Sequence, residues 1–286
     1  MKKFLSITLI MLLAFATMAG CSAKGNDSED TGSDVSGTVV TAGSTSVQPL
    51  SEELASAFMD SNPGITVEVQ GGGSGQGVKA IKEAIADLGA LSRNVKDEEK
   101  EFVTKEHVIA KDGVAVVVNT ETKVDDLSLE QIRKIFTGEI KNWSEVGGDD
   151  AQIVVVTREE GSGTRGAFTE ITKVLSKNDA GEEIDNTTKD ALVQGSTGAV
   201  MQTVATTPNT IGYVSLGSLS DTVKALKVED VTPTLETVLS GEYKISRPFL
   251  YVEGSTLSEA AQKYLDFVMS EEGQKIVQDS GFIPVK

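Results

Sequence analysis

From Thr38 onward the chain alternates short apolar, β-branched runs with amphipathic helical patterns, and this alternation confines it to the α/β class. Thr38-Val39-Val40 predicts a strand, and the spacing of apolar residues predicts a helix over 48–59. Pro63 and Gly64 break the chain before a strand over 65–69, and a helix running through Ile81 and Ile85 follows. The unbroken apolar content of 113–119 (GVAVVVN) predicts a buried strand. Further on, 129–136 suits a helix, 153–157 a strand and 167–175 a helix; 249–252 reads as a strand, with helices over 260–268 and 274–277. One coherent core holds about 100 to 150 residues, so a body of roughly 250 residues predicts two lobes. No flexible linker divides the middle of the chain, which favours strands that cross over and return. Crossovers near Val116 and Tyr213 give a discontinuous lobe I of 38–115 plus 214–286, a lobe II of 116–213, and a cleft between them.

The N-terminus has a different character. Met1-Lys2-Lys3 precedes an apolar run from Phe4 to Met18 and then Ala19-Gly20-Cys21, the outline of a secretory leader over 1–20. A permanent membrane span needs about 20 predominantly apolar residues with a stop-transfer flank, and the segment after Cys21 is strongly polar. Met18-Ala19-Gly20-Cys21 resembles the processing site of bacterial lipoprotein precursors, which implies lipidation of Cys21 and a membrane anchor on the extracytoplasmic face. Cys21 is the only cysteine, so no internal disulfide can form. Residues 21–37, rich in Ser, Gly, Asp and Glu, read as a flexible acidic tether. The formal net charge of -17 makes nucleic acid and anionic membrane surfaces poor partners. It does not exclude a small anion, because exposed charges are screened beyond about 8 Å at physiological ionic strength.

Three turns carry the chemistry: Gly43-Ser44-Thr45-Ser46, Gly73-Ser74-Gly75-Gln76-Gly77 and Gly161-Ser162-Gly163-Thr164. Each follows an expected strand and opens an expected helix. Backbone N–H groups at a helix start, with the positive end of the helix dipole behind them, form an anion seat. Glycine permits close approach, and Ser and Thr hydroxyls add donors that rotate to fit. One such turn is an ordinary capped connection; three in one chain point to a shared ligand. Arg158, three residues before the third turn, can place two parallel N–H bonds on a tetrahedral oxyanion, with Glu160 expected to hold it in register. Micromolar capture requires about 8 kcal/mol, and a charge-assisted hydrogen bond nets about 1.5–3 kcal/mol. Four or more good bonds from several loops are therefore needed.

The stretches TAGSTSVQPL (41–50), GGGSGQGVKAI (71–81), DLGALSR (87–93), IFTGEIKNWSEVGG (135–148) and REEGSGTR (158–165), with IGYVSL and the closing GFIPV, resemble the ordered motifs of the PstS family. These are the phosphate-binding proteins of phosphate ABC transporters, here in their shorter Gram-positive form. The resemblance runs from Thr38 to the C-terminus. It implies a two-lobed periplasmic-binding-protein-like (type II) fold and a monomer that binds inorganic phosphate and meets the permease and ATPase subunits of an importer. It also implies phosphate contacts at Ser44, Thr45 and Ser46, at Ser74, at Ser92 and Arg93, and at Arg158, Ser162, Gly163 and Thr164. Ser92-Arg93 stands where the best-known family pattern has an aspartate that accepts the proton of hydrogen phosphate, leaving a hydroxyl or main-chain carbonyl as acceptor.

Other classes fit less well. Gly161-Ser162-Gly163-Thr164-Arg165-Gly166 matches a dinucleotide fingerprint, but the acid expected about 20 residues later on a second strand end is missing. His107 is the only histidine, in a polar segment that reads as exposed, and no G-x-S-x-G elbow or Walker motif accompanies it. One histidine and one lipidated cysteine cannot make a zinc site, so neither metal nor cofactor is expected, and the chain reads as a binding protein and not an enzyme. Arg165 reads as a solvated or helix-opening residue and Trp143 as core. A surface adhesin would not need three convergent anion seats; another tetrahedral oxyanion, sulfate or molybdate, is the alternative ligand.

Overall fold

The computed structural model describes residues 35–285, so the leader, Cys21 and the tether up to Asp34 lie outside the described residues. The body is built on β1 (Gly37–Gly43), α1 (Gln48–Ser61), β2 (Ile65–Gly71), α2 (Ser74–Lys82), β3 (Leu88–Leu91) and β4 (Lys105–Val118), followed by shorter elements. A nine-stranded mixed sheet organises it, in the order β2, β1, β3, Ser246–Glu253, β4, Thr210–Ser215, Val154–Arg158 and Leu192–Gln194, with Lys224–Ala225 also pairing β4. β1 is parallel to β2 and β3, and Gly43 lies opposite both Gly71 and Ala90. Val154–Arg158 is parallel to Thr210–Ser215 and to Leu192–Gln194, with Arg158 opposite Gln194. The carboxyl ends of two parallel strand sets therefore carry the turns, the usual place for ligands in open α/β sheets. Among the described residues, no helix is long and apolar enough to cross a membrane.

β4 joins the two halves of the sheet: Lys105–Gly113 pairs antiparallel with Ser246–Glu253, and Val114–Val118 with Thr210–Ser215. The apolar cores divide at the same point. One core takes side chains from Val39 to Ala110 and from Phe249 to Phe282; the other runs from Val114 to Ile245 and includes Ile283. The two clusters change over between Ala110 and Val114 and again between Ile245 and Phe249, where the expected crossovers were Val116 and Tyr213. Tyr213 stacks on Phe168 at 4.0 Å between ring centroids, and Leu226, Val228, Val238 and Tyr243 complete the same core. The Tyr243 hydroxyl donates to the Val114 carbonyl at 3.0 Å, which ties this segment to the far half of β4. Burying these side chains together outweighs any early return.

At the junction of the halves, Asp112 of β4 lies opposite Arg247. Arg247 donates through Nε (3.0 Å) and Nη2 (2.9 Å) to Asp112 Oδ2, and Ser215 Oγ donates to Oδ1 (2.9 Å). Both charged side chains are 1 % exposed.

Local differences from expectation have local causes. The helix expected over 167–175 is Gly163–Ile171, because Ser162 caps it by accepting from the Arg165 N–H and Lys173 turns into the left-handed region at φ 62°. α2 ends at Lys82 and does not run on through Ile85, since Ala84 adopts φ 53° and Ile85 is exposed. β4 starts eight residues before the expected Gly113 and includes His107, which is not fully exposed as expected: its Nε2 lies 2.6 Å from Glu253 Oε1 on the neighbouring strand. Trp143 is core, and its indole N–H donates to the Asn209 carbonyl at 3.1 Å.

Candidate functional site

Gly43 ends β1 at φ 141°, and a Cβ there would sit 2.2 Å from the Ala90 carbonyl oxygen, so glycine is required for the chain to turn against β3. The chain then presents Ser44, Thr45 and Ser46 ahead of α1. Gly73, at φ 93°, opens α2 and donates its N–H to the Gly43 carbonyl at 2.8 Å, which sets the second turn beside the first. Ser92 follows β3 directly. The third turn lies between Val154–Arg158 and the helix Gly163–Ile171. The Gly75 N–H donates to the Gly161 carbonyl at 3.0 Å, so the second and third turns touch.

The hydroxyls form a continuous network. Ser44 Oγ donates to Ser92 Oγ at 2.8 Å and accepts from the Ser46 N–H at 3.2 Å. Ser74 Oγ accepts from the Ser92 N–H at 3.0 Å. Ser46 Oγ lies 2.8 Å from Thr164 Oγ1. Ser44, Ser46, Ser74, Ser92, Ser162 and Thr164 are all buried. Gly163 packs into this network so closely that a Cβ would meet Ser74 Oγ at 2.1 Å and Ser92 Oγ at 2.7 Å. Only a residue without a side chain allows the third turn to approach the second here.

Arg158 is 1 % exposed and is the cation of the network. Its Nε and Nη2 donate to Glu159 at 2.8 and 2.7 Å, and its Nη1 donates to Thr197 Oγ1 at 3.2 Å. Glu159, not the expected Glu160, thus holds the guanidinium; Glu160 is exposed at the turn. A guanidinium has five N–H donors. Among the described residues, two of Arg158's remain unengaged, one on each terminal nitrogen, and are available to an anion. Beneath it, the Tyr213 hydroxyl accepts from the Arg158 backbone N–H at 3.2 Å and lies 2.8 Å from Thr157 Oγ1. Burial pushes the Tyr213 phenol up to about 12, so it stays neutral under the cation.

Two expectations change. Arg93 is not brought into the network: its guanidinium makes a bidentate pair with Glu99 at 2.7 and 2.6 Å, and Nη1 also donates to the Asn94 carbonyl. It faces a polar cleft lined by Lys96, Glu160, Arg165 and Asp185 instead. Arg165 is not merely solvated, since its Nη1 donates to the Arg158 carbonyl at 2.8 Å and its Nε to Asp185 at 2.8 Å.

Sequence reasoning missed Thr197. It sits in a fourth turn, Gly195-Ser196-Thr197-Gly198, between the strand Leu192–Gln194 and the helix Thr197–Thr206. Its Oγ1 lies 2.9 Å from Ser46 Oγ and 3.4 Å from Thr45 Oγ1, and its N–H donates to Thr45 Oγ1 at 3.3 Å. The same Gly-Ser-Thr chemistry after a short apolar run was a usable signal in the sequence.

Residues 28–272 match the family model described as a PBP superfamily domain. The phosphate-binding protein PstS of Bacillus subtilis is 36 % identical, over all of this chain and 95 % of its own. The chain belongs to the PstS family. The PstS of Borreliella burgdorferi, 30 % identical, is covered end to end as is this chain. Among solved structures of this kind, a substrate-binding protein from Clostridium perfringens with bound phosphate superposes with a TM-score of 0.82 at 42 % identity, covering 87 % of this chain and all of that one. An ABC-type phosphate transport receptor from Vibrio cholerae gives 0.71 at 33 %, covering 86 % and 99 %. The periplasmic-binding-protein-like fold expected for a PstS chain is the one observed.

Proposed function

We propose that the protein captures inorganic phosphate outside the cytoplasm and delivers it to the permease of an ABC importer, acting as a binding protein and not as an enzyme. The observation that carries this reading is the meeting of buried hydroxyls from both core units around Arg158, two of whose N–H donors are unengaged among the described residues. Such a site supplies donors to an oxyanion and orders them before the ligand arrives, which lowers the cost of binding. The names of the full-length relatives support phosphate as the anion. Its contacts would come from Thr45, Ser46, Ser74, Ser92, Arg158, Ser162, Gly163 and Thr164, with Ser44 behind them. Arg93, adjacent to Ser92 and paired with Glu99, would lie at the edge of the site. The two core units would be the lobes, one built around residues 39–110 and 249–282 and the other around 114–245. With half-sites on each, the anion is fully bonded only when they close on it, so binding shifts the open and closed populations. Calorimetry of the leaderless protein should give micromolar or tighter binding of phosphate and arsenate and weaker binding of sulfate. Sulfate bound more tightly than phosphate would overturn the ligand assignment.

We further infer that the mature chain is a monomer held at the outer face of the cell membrane through lipidated Cys21. The order of an apolar run from Phe4 to Met18, the small residues Ala19 and Gly20 and then Cys21 supports this reading. Cys21→Ala should therefore lose membrane retention and palmitate incorporation. Continued labelling of the variant by radioactive palmitate would remove the anchor.

A further inference from the structure

Three of Arg158's donors are held within the protein, two by Glu159 and the third by a residue of the fourth turn. Glu159 takes Nε and Nη2 from one side, and Thr197 takes Nη1 from the other. A guanidinium pinned by the carboxylate alone can still tilt about that edge. A second anchor on Nη1 fixes its plane and so fixes where the two unengaged N–H bonds point.

Thr197 also looks across the molecule. Its helix packs against the sheet through Val200 and Val204, on the side of Val156 and Val214. Its hydroxyl and N–H nevertheless reach Thr45 and Ser46, which precede α1 on the first core unit. Because Arg158 Nη1 can only donate, Thr197 Oγ1 accepts from it, and the same oxygen lies within hydrogen-bond reach of the Ser46 and Thr45 hydroxyls. The hydroxyl of Thr197, a residue 4 % exposed, thus couples the aim of the cation to contact between the units.

We propose that Thr197 is a positioning residue of the oxyanion site, whose hydroxyl aims the Arg158 guanidinium and latches the first turn to the fourth, so that it governs how long bound phosphate is retained. The proposal rests on the phosphate reading above. Contacts that exist only when the units meet act on dissociation more than on encounter, which is limited by diffusion into the open cleft.

The test is stopped-flow and calorimetric titration of the full mature body with inorganic phosphate. Thr197→Val keeps the shape and removes the hydroxyl. It should raise Kd about tenfold or more, nearly all of it in the off-rate, with the on-rate changed less than about threefold. Thr197→Ser, which keeps the hydroxyl, should return Kd to within about threefold of the parent. Thr197→Ala serves as a second hydroxyl-free chain should the valine variant fold poorly. Ser196→Ala removes the helix cap, whose Oγ accepts from the Ala199 N–H at 3.1 Å, while leaving Thr197 in place. It should lower the unfolding midpoint but shift Kd by less than about twofold. A parent protein that binds no phosphate would defeat the phosphate reading itself. If the parent binds and the hydroxyl-free variants match it, or the loss lies in the on-rate, or serine fails to rescue, the positioning role is wrong. An effect of Ser196→Ala as large as that of Thr197→Val would assign the loss to the helix start.

Discussion

Arg158→Ala should weaken phosphate binding by about 2–4 kcal/mol, roughly 30- to 1,000-fold in Kd. The side chain is buried, its plane is set by Glu159 and Thr197, and it is the cation that the network surrounds. Truncation removes two charge-assisted bonds to the ligand and the positive charge that balances a dianion in a site of low dielectric. Glu159 is 28 % exposed at its side chain and can turn to water, so the folded state should survive the change. Arg158→Lys should recover little, because an ammonium cannot hold Glu159, Thr197 and two ligand oxygens in one plane. Calorimetry on variants with native circular dichroism checks both, and a Kd within twofold of the parent for Arg158→Ala would show that the network binds its anion without this cation.

Asp112→Ala should lower stability by about 3–5 kcal/mol, the largest effect expected from a single change outside the anion site. The carboxylate is the partner of Arg247 at Nε and Nη2, and among the described residues Arg247 Nη1 already lacks a hydrogen-bond partner. Burial pushes the Asp112 carboxyl up, while the Arg247 charge and the hydrogen bonds from Arg247 and Ser215 oppose it. Without the carboxylate a guanidinium remains buried and uncompensated where both strands pass from one core to the other. The double variant Asp112→Leu with Arg247→Met removes both charges and should lose much less than Asp112→Ala alone, since a buried pair is worth little beyond apolar packing of the same volume. Urea unfolding of the three proteins measures this. Equal losses for the single and double variants would show that packing, not the orphaned charge, sets the cost.

The Asp112–Arg247 pair illustrates how sequence distance conceals contact. The two residues are 135 positions apart and are neighbours only because β4 and Ser246–Glu253 align in antiparallel register. The far apolar core is assembled in the same way. Leu226, Val228, Val238 and Tyr243 read as short apolar segments that either lobe could accept, and only packing against Tyr213 and Phe168 assigns them.

What the sequence determined by itself is local. The α/β class, the strand and helix order, the three glycine-hydroxyl turns and Arg158 at a strand end follow from side-chain period and turn chemistry, which act over a few residues. Which groups converge was decided only by the tertiary structure. Glu159 and Glu160 are adjacent in the chain, yet the path of the turn gives the guanidinium to the first and leaves the second in water. Arg93 follows Ser92 directly, but Glu99 draws it out of the network that Ser92 joins. Thr197 lies more than 150 residues from Thr45 and meets it through sheet order, because Leu192–Gln194 docks beside Val154–Arg158 and carries the fourth turn to the same end as the third. Hydrogen bonds reach about 3 Å, and no local rule of sequence can say which distant residues a folded sheet will bring within that range.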